Sequence, residues 1–136
     1  MQGFVAVLTL KKDGIIEKEL TNIKIEKDSG LLRDIYVVEE VGELLVRMFV
    51  TVEKKLEDWE FEALYDYYDM EVFEGLDLTI NEAPGDLNPV WEINFPFIEE
   101  TQRLEAKING VLNLHGREAE LALEAIAEAE GEYNDL

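Results

Sequence analysis

The chain opens on short runs in which apolar and polar positions alternate, each bounded by turn residues. Phe4, Ala6, Leu8 and Leu10 share one side of an extended segment, and Val5, Val7 and Thr9 share the other. Lys12-Asp13-Gly14 then supplies a turn in which glycine can take positive φ, so a β-hairpin is predicted. Its second strand spans residues 16–26, with Ile23 and Ile25 on one side and Lys24 and Glu26 on the other, until Asp28-Ser29-Gly30 breaks it. Residues 35–39 and 44–52 flank Val41-Gly42. A two-residue loop there sets Val37 opposite Val46 and Ile35 opposite Met48.

The period changes after residue 57. Phe61, Leu64, Tyr65 and Tyr68 fall at i, i+3, i+4 and i+7, while Asp58 can cap the N-terminus and Glu60 and Glu62 suit the positive end of the dipole. A helix over 58–69 is predicted, with that stripe on the core. Residues 76–81 and 91–97 return to period two and read as two more strands, separated by the loop Glu82-Ala83-Pro84-Gly85-Asp86. Pro96 has no N–H to give a ladder and belongs at an edge or a strand end.

Residues 103–130 admit two readings. Leu, Ala and Glu favour helix, which would make the segment a pair of helices. A type II′ loop at Gly116-Arg117 instead aligns Leu114 with Ala119, Leu112 with Leu121 and Ile108 with Ala125, apolar against apolar, and sets His115 beside Glu118 on the other face. Lys107 by Ile126 and Glu105 by Glu128 fit that register poorly. The register favours the hairpin. The expected fold is therefore α+β and predominantly antiparallel, with about eight strands as a barrel or two packed sheets and one helix between the fourth and fifth strands. At 136 residues this is a single domain, residues 1–130, followed by a frayed acidic end, 131–136.

Charge changes that picture in one place. Between Leu56 and Gln102 there is no lysine or arginine, yet the stretch holds fourteen Asp/Glu and nine of the thirteen aromatics. Of the net charge of −20, residues 1–55 carry −1, residues 56–102 carry −14 and residues 103–136 carry −5. An apolar content of 47% is too high for a disordered acidic tail, so the chain folds. The absence of cysteine excludes disulfides and thiol chemistry and fits a reducing compartment. Met1 to Leu10 lacks a basic leader and a cleavage site, and no apolar run approaches the length of a membrane span; a cytoplasmic protein that does not bind membranes is expected.

Catalytic chemistry finds little to work with. Ser29 is the one serine, in a turn context and not at a nucleophile elbow. His115 is the one histidine, so no multi-histidine metal site exists, and at the expected loop it reads as an exposed polar residue. No glycine pattern builds a phosphate-binding loop. Paired carboxylates occur everywhere in a chain with 32 acids and single out nothing. Asn81, Glu82, Asp86 and Asn88 could offer oxygens to Ca²⁺, but their spacing is not that of an EF-hand and the Pro84-Gly85 turn explains the loop. No cofactor and no metal are expected. Direct nucleic-acid binding is disfavoured, because the ring-rich region has no cations to meet phosphates.

What remains is the other side of the 58–69 helix. Trp59, Ala63, Asp66, Tyr67 and Met70 lie away from most of the core stripe, with Glu62 on the flank. Rings among carboxylates suit a basic protein surface through ionic and cation–π contacts, so Trp59, Glu62, Asp66, Tyr67 and Met70 form the candidate partner site of a non-enzymatic interaction module. The other readings are a β-barrel carrier of a small hydrophobic ligand, its cavity lined by Trp91, Phe95 and Phe97 with the helix as a lid, and an enzyme built on two carboxylates.

Overall fold

A computed structural model describes residues 4–26, 29–85 and 87–129. The strands are β1 (Phe4–Lys12), β2 (Ile15–Ile25), β3 (Leu32–Glu40), β4 (Glu43–Val50), β5 (Thr79–Ala83) and β6 (Val90–Pro96), and the helices are α1 (Asp58–Tyr67) and α2 (Thr101–Glu128). Short 3-10 turns stand at Ser29–Leu31 and Met70–Phe73. The strands form one sheet in the order β2-β1-β3-β4-β6-β5, antiparallel throughout except where β1 runs parallel to β3.

Turn chemistry sets the two hairpins. Asp13 and Gly14 take φ of 54° and 80°, and Val41 and Gly42 take 51° and 79°, so both loops place two residues at positive φ, as strand twist demands of a two-residue hairpin. A β-branched Val41 is strained there. The second loop gives the expected register, Val37 opposite Val46 and Ile35 opposite Met48.

Three expectations need correction. The strands number six and not eight, and they form a single open sheet, neither a barrel nor two packed sheets. Residues 103–130 are not a hairpin: α2 runs unbroken for 28 residues through Gly110 and Gly116. Its buried positions, Leu104, Ile108, Val111, Leu112, His115, Ala119, Ala122 and Ile126, step by three, four and one, which is one continuous helical stripe. Alanines at every second position had mimicked a strand face, but a long stripe has far more sheet to bury against than an isolated ladder of alanines. Finally, α1 ends at Tyr67 and not at residue 69, and Glu57 instead of Asp58 caps it, in a reciprocal box with Glu60. Residues 131–136, expected to fray, lie outside the described residues.

Both helices lie on one face of the sheet. Leu8, Ile23, Val37, Val46, Met48, Trp91, Ile93 and Phe95 point to that side and form a single core with Leu64, Leu104, Ile108 and Leu112. α2 also closes the upper part of the β2 edge. Lys24 N donates to Glu105 Oε2 at 2.8 Å and Glu26 N to Asn109 Oδ1 at 2.9 Å, while Asn109 Nδ2 donates to Lys24 O at 2.8 Å. Two side chains thus stand in for a neighbouring strand, satisfying backbone groups that would otherwise invite another chain.

Candidate functional site

The outward surface of α1 and the turn after it carries the candidate residues, and its position is set by a buried polar cluster. Tyr68, just past the end of α1, stacks on Trp91 with ring centroids 4.2 Å apart. Its hydroxyl lies 2.9 Å from His115 Nδ1, and His115 Nε2 lies 2.6 Å from the Thr51 carbonyl oxygen. A carbonyl only accepts, so Nε2 carries the proton and Nδ1 accepts from the Tyr68 hydroxyl. One turn along α2, Glu118 Oε1 accepts from Asp69 N at 3.0 Å. His115 and Glu118 therefore hold the chain where it leaves α1, and His115 ties the same point to the end of β4.

His115 is fully buried. It is not the exposed loop residue expected, because position 115 falls on the inner stripe of a helix. Burial pushes its pKa down to about 4, partly opposed by the bond to the Thr51 carbonyl. The Tyr68 phenol is pushed up, first by burial and then by the charge of Glu118. A neutral imidazole and a neutral phenol, closed off from solvent, make a clamp. The last turn of α1 is held a second time by Tyr65, whose hydroxyl donates to Ala83 O at 2.9 Å and accepts from Val90 N at 2.9 Å.

On this scaffold the five candidate residues separate. Glu62 and Asp66 are exposed, and Tyr67 is 37% exposed. Trp59 is half-buried, with Nε1 donating to Glu57 Oε2 at 2.9 Å. Met70 packs against the core, and Ala63, assigned to the same side, is fully buried. The face is thus narrower than the helical wheel implied. Past α1, Val72 at 36% and Leu76 at 40% exposure are further apolar side chains at the surface. Along the same stretch of chain Glu57, Asp58, Glu62, Asp66, Asp69, Glu71, Glu74 and Asp77 are all exposed. Leu76, expected to open a strand over 76–81, instead precedes β5, which starts at Thr79.

The chain matches the model of a family of unknown function, DUF6762, over residues 1–134. It belongs to that family. No curated protein and no solved structure matches it. Family membership brings no activity with it, so the residues themselves must carry the reading.

Other constellations are absorbed by structure. Asn88 Nδ2 donates to the carbonyls of Val52 and Lys54, and Asp86 of the same loop lies outside the described residues. Among the described residues no group of three or more Asp, Glu or His is placed to hold a metal ion. Nor is any helix among them long and apolar enough to cross a membrane. A groove of about 1170 Å³ beside α2, lined by Leu31, Val52, Leu114 and Leu123, opens to solvent. The positions meant to line a barrel cavity are filled, with Trp91 and Phe95 packed in the core.

Proposed function

We propose that the protein is a non-enzymatic interaction module that docks a basic protein surface against the acidic, ring-bearing surface of α1 and the turn that follows. One observation supports it above the rest: Tyr67, Val72 and Leu76 stand exposed along residues 57–77, whose own exposed charged side chains are all carboxylates, with Lys54 reaching in at Glu60 and Lys107 at the Leu76 carbonyl. Apolar groups supply contact area, and the field around them attracts cations and repels acidic competitors. Tyrosine adds a rigid face for lysine or arginine at small entropic cost. The clamp at Tyr68, His115 and Glu118 keeps that surface from rearranging as a partner arrives.

Simple attraction between a polycation and a protein of charge −20 must be separated from docking. The test uses a lysine- and arginine-rich amphipathic peptide as probe, with affinity measured by calorimetry over a range of NaCl concentrations. Affinity is expected to fall as salt rises. Replacing both rings, Trp59→Ala with Tyr67→Ala, is expected to weaken binding at least about fivefold at every salt concentration, because truncating an interface aromatic typically costs upward of 1 kcal/mol. Unchanged affinity in the double variant would reduce the interaction to charge alone and remove the proposed surface.

A further inference from the structure

Strands β1 and β4 carry apolar side chains on both faces, yet the helices cover only one. The apolar residues directed away from α1 and α2 are Val5 and Val7 on β1, Tyr36 and Val38 on β3, and Leu45 and Phe49 on β4, set among Thr9, Lys11, Asp34, Glu40, Glu43, Arg47, Glu92 and Asn94. None of the six apolar residues belongs to the core or packs against it. Val5 is 62% exposed and Val7 45%, and no described element lies over them. A sheet face left to water normally carries polar side chains, whereas strands apolar on both sides are those buried on both sides.

We infer that this uncovered sheet face is where a second copy of the chain packs, forming a face-to-face dimer. Charge favours a copy over a strongly charged partner. The molecule carries −20 overall, but here Lys11, Lys24 and Arg47 stand against Glu19, Asp34, Glu40, Glu43 and Glu92, with Arg47 already bonded to Glu40. Two copies therefore meet with less mutual repulsion than they would through the carboxylate surface of α1. A two-fold axis along the strands, between β3 and β4, also makes the face self-complementary. It sets β3 of one copy over β4 of the other and β1 over β6. Tyr36 is in register with Arg47, so this symmetry sets the Tyr36 position of each copy over the Arg47 position of the other. The area suffices: six strands span five spacings of about 4.8 Å, and a length of about seven residues at about 3.3 Å then gives roughly 1,100 Å² from the two copies, above the roughly 1,000 Å² that a specific interface requires.

Sedimentation equilibrium of the full chain between about 1 and 100 μM decides the matter. The expected species has twice the 15.6 kDa chain mass. Val7→Lys and Phe49→Lys are each expected to raise the dimer dissociation constant at least about tenfold, with the circular dichroism spectrum unchanged. Should Phe49→Lys fail to fold, Val7→Lys and Val5→Lys carry the test, since both side chains already meet solvent in the single chain. Tyr67→Ala is expected to leave the dimer intact, which separates this surface from that of α1. A chain that is monomeric throughout the range, or a dimer indifferent to lysine at positions 5 and 7, overturns the inference and leaves the face to a different partner.

Discussion

His115 shows how one side chain can hold three elements together while making the protein sensitive to acid. Its ring accepts from Tyr68 and donates to the Thr51 carbonyl, so it serves α1 and β4 from α2 only while neutral. With the folded pKa lowered to about 4 against an ordinary value of 6.5, the unfolded chain takes up a proton that the folded chain refuses. Stability should therefore fall as pH drops from about 6.5 towards 4, by about 3 kcal/mol from this group. Urea unfolding across that range would show it as a slope. His115→Gln should remove one proton's worth of that slope whatever its absolute stability, since the carboxylates are common to both proteins. A variant with the same slope would mean that His115 is not buried neutral. Tyr68→Phe deletes the hydrogen that Nδ1 accepts and should cost about 1–3 kcal/mol at neutral pH, because the orphaned nitrogen stays buried.

At the level of elements, the two glycines of α2 play different parts. A methyl group at Gly110 meets nothing within 4 Å, whereas at Gly116 it would stand 3.0 Å from Leu31 Cδ1. Gly110→Ala should accordingly raise stability by about 0.5–1 kcal/mol, read from the urea midpoint, and Gly116→Ala should give distinctly less. Equal gains would mean that α2 does not pack on Leu31 as closely as described. The same helix marks the limit of what the residue order conveys. The β3–β4 register could be read directly, because Val41-Gly42 fixes a two-residue loop and the apolar positions on either side can match in one way. α2 could not be read that way, since Gly116-Arg117 is an equally good turn, and the helical stripe from Leu104 to Ile126 was hidden by alanines that satisfy either period. The misfits of Lys107 with Ile126 and Glu105 with Glu128 were the available warning. For the candidate site, carboxylates and rings were legible as composition. The clamp that holds them was not, because Tyr68 and His115 are 47 residues apart and no local rule brings them together.

Over the whole molecule, charge works against the fold in order to shape the surface. Net charge of −20 in 136 residues repels itself, and on α1 Asp58, Glu62 and Asp66 follow one another at i, i+4, a spacing at which like charges destabilise a helix. Such an arrangement makes sense if the carboxylates meet a cationic partner, and it gives salt two opposite effects. Raising NaCl from about 20 to 500 mM shortens the screening length from roughly 20 Å to below 5 Å, so the melting temperature should rise while affinity for the basic peptide falls. The double variant Glu62→Gln, Asp66→Asn isolates the trade. Relief of repulsion along the helix should stabilise it by a few tenths of a kcal/mol, a shift of about 1–2 °C in melting temperature at low salt that vanishes at high salt. The same variant should bind the basic peptide more weakly and with a shallower dependence on salt, because two of the attracting charges have gone. Scanning calorimetry and titration on one pair of samples would measure both. If the variant became more stable with binding untouched, the carboxylates of α1 would be no part of a docking surface, and their spacing would serve solubility alone.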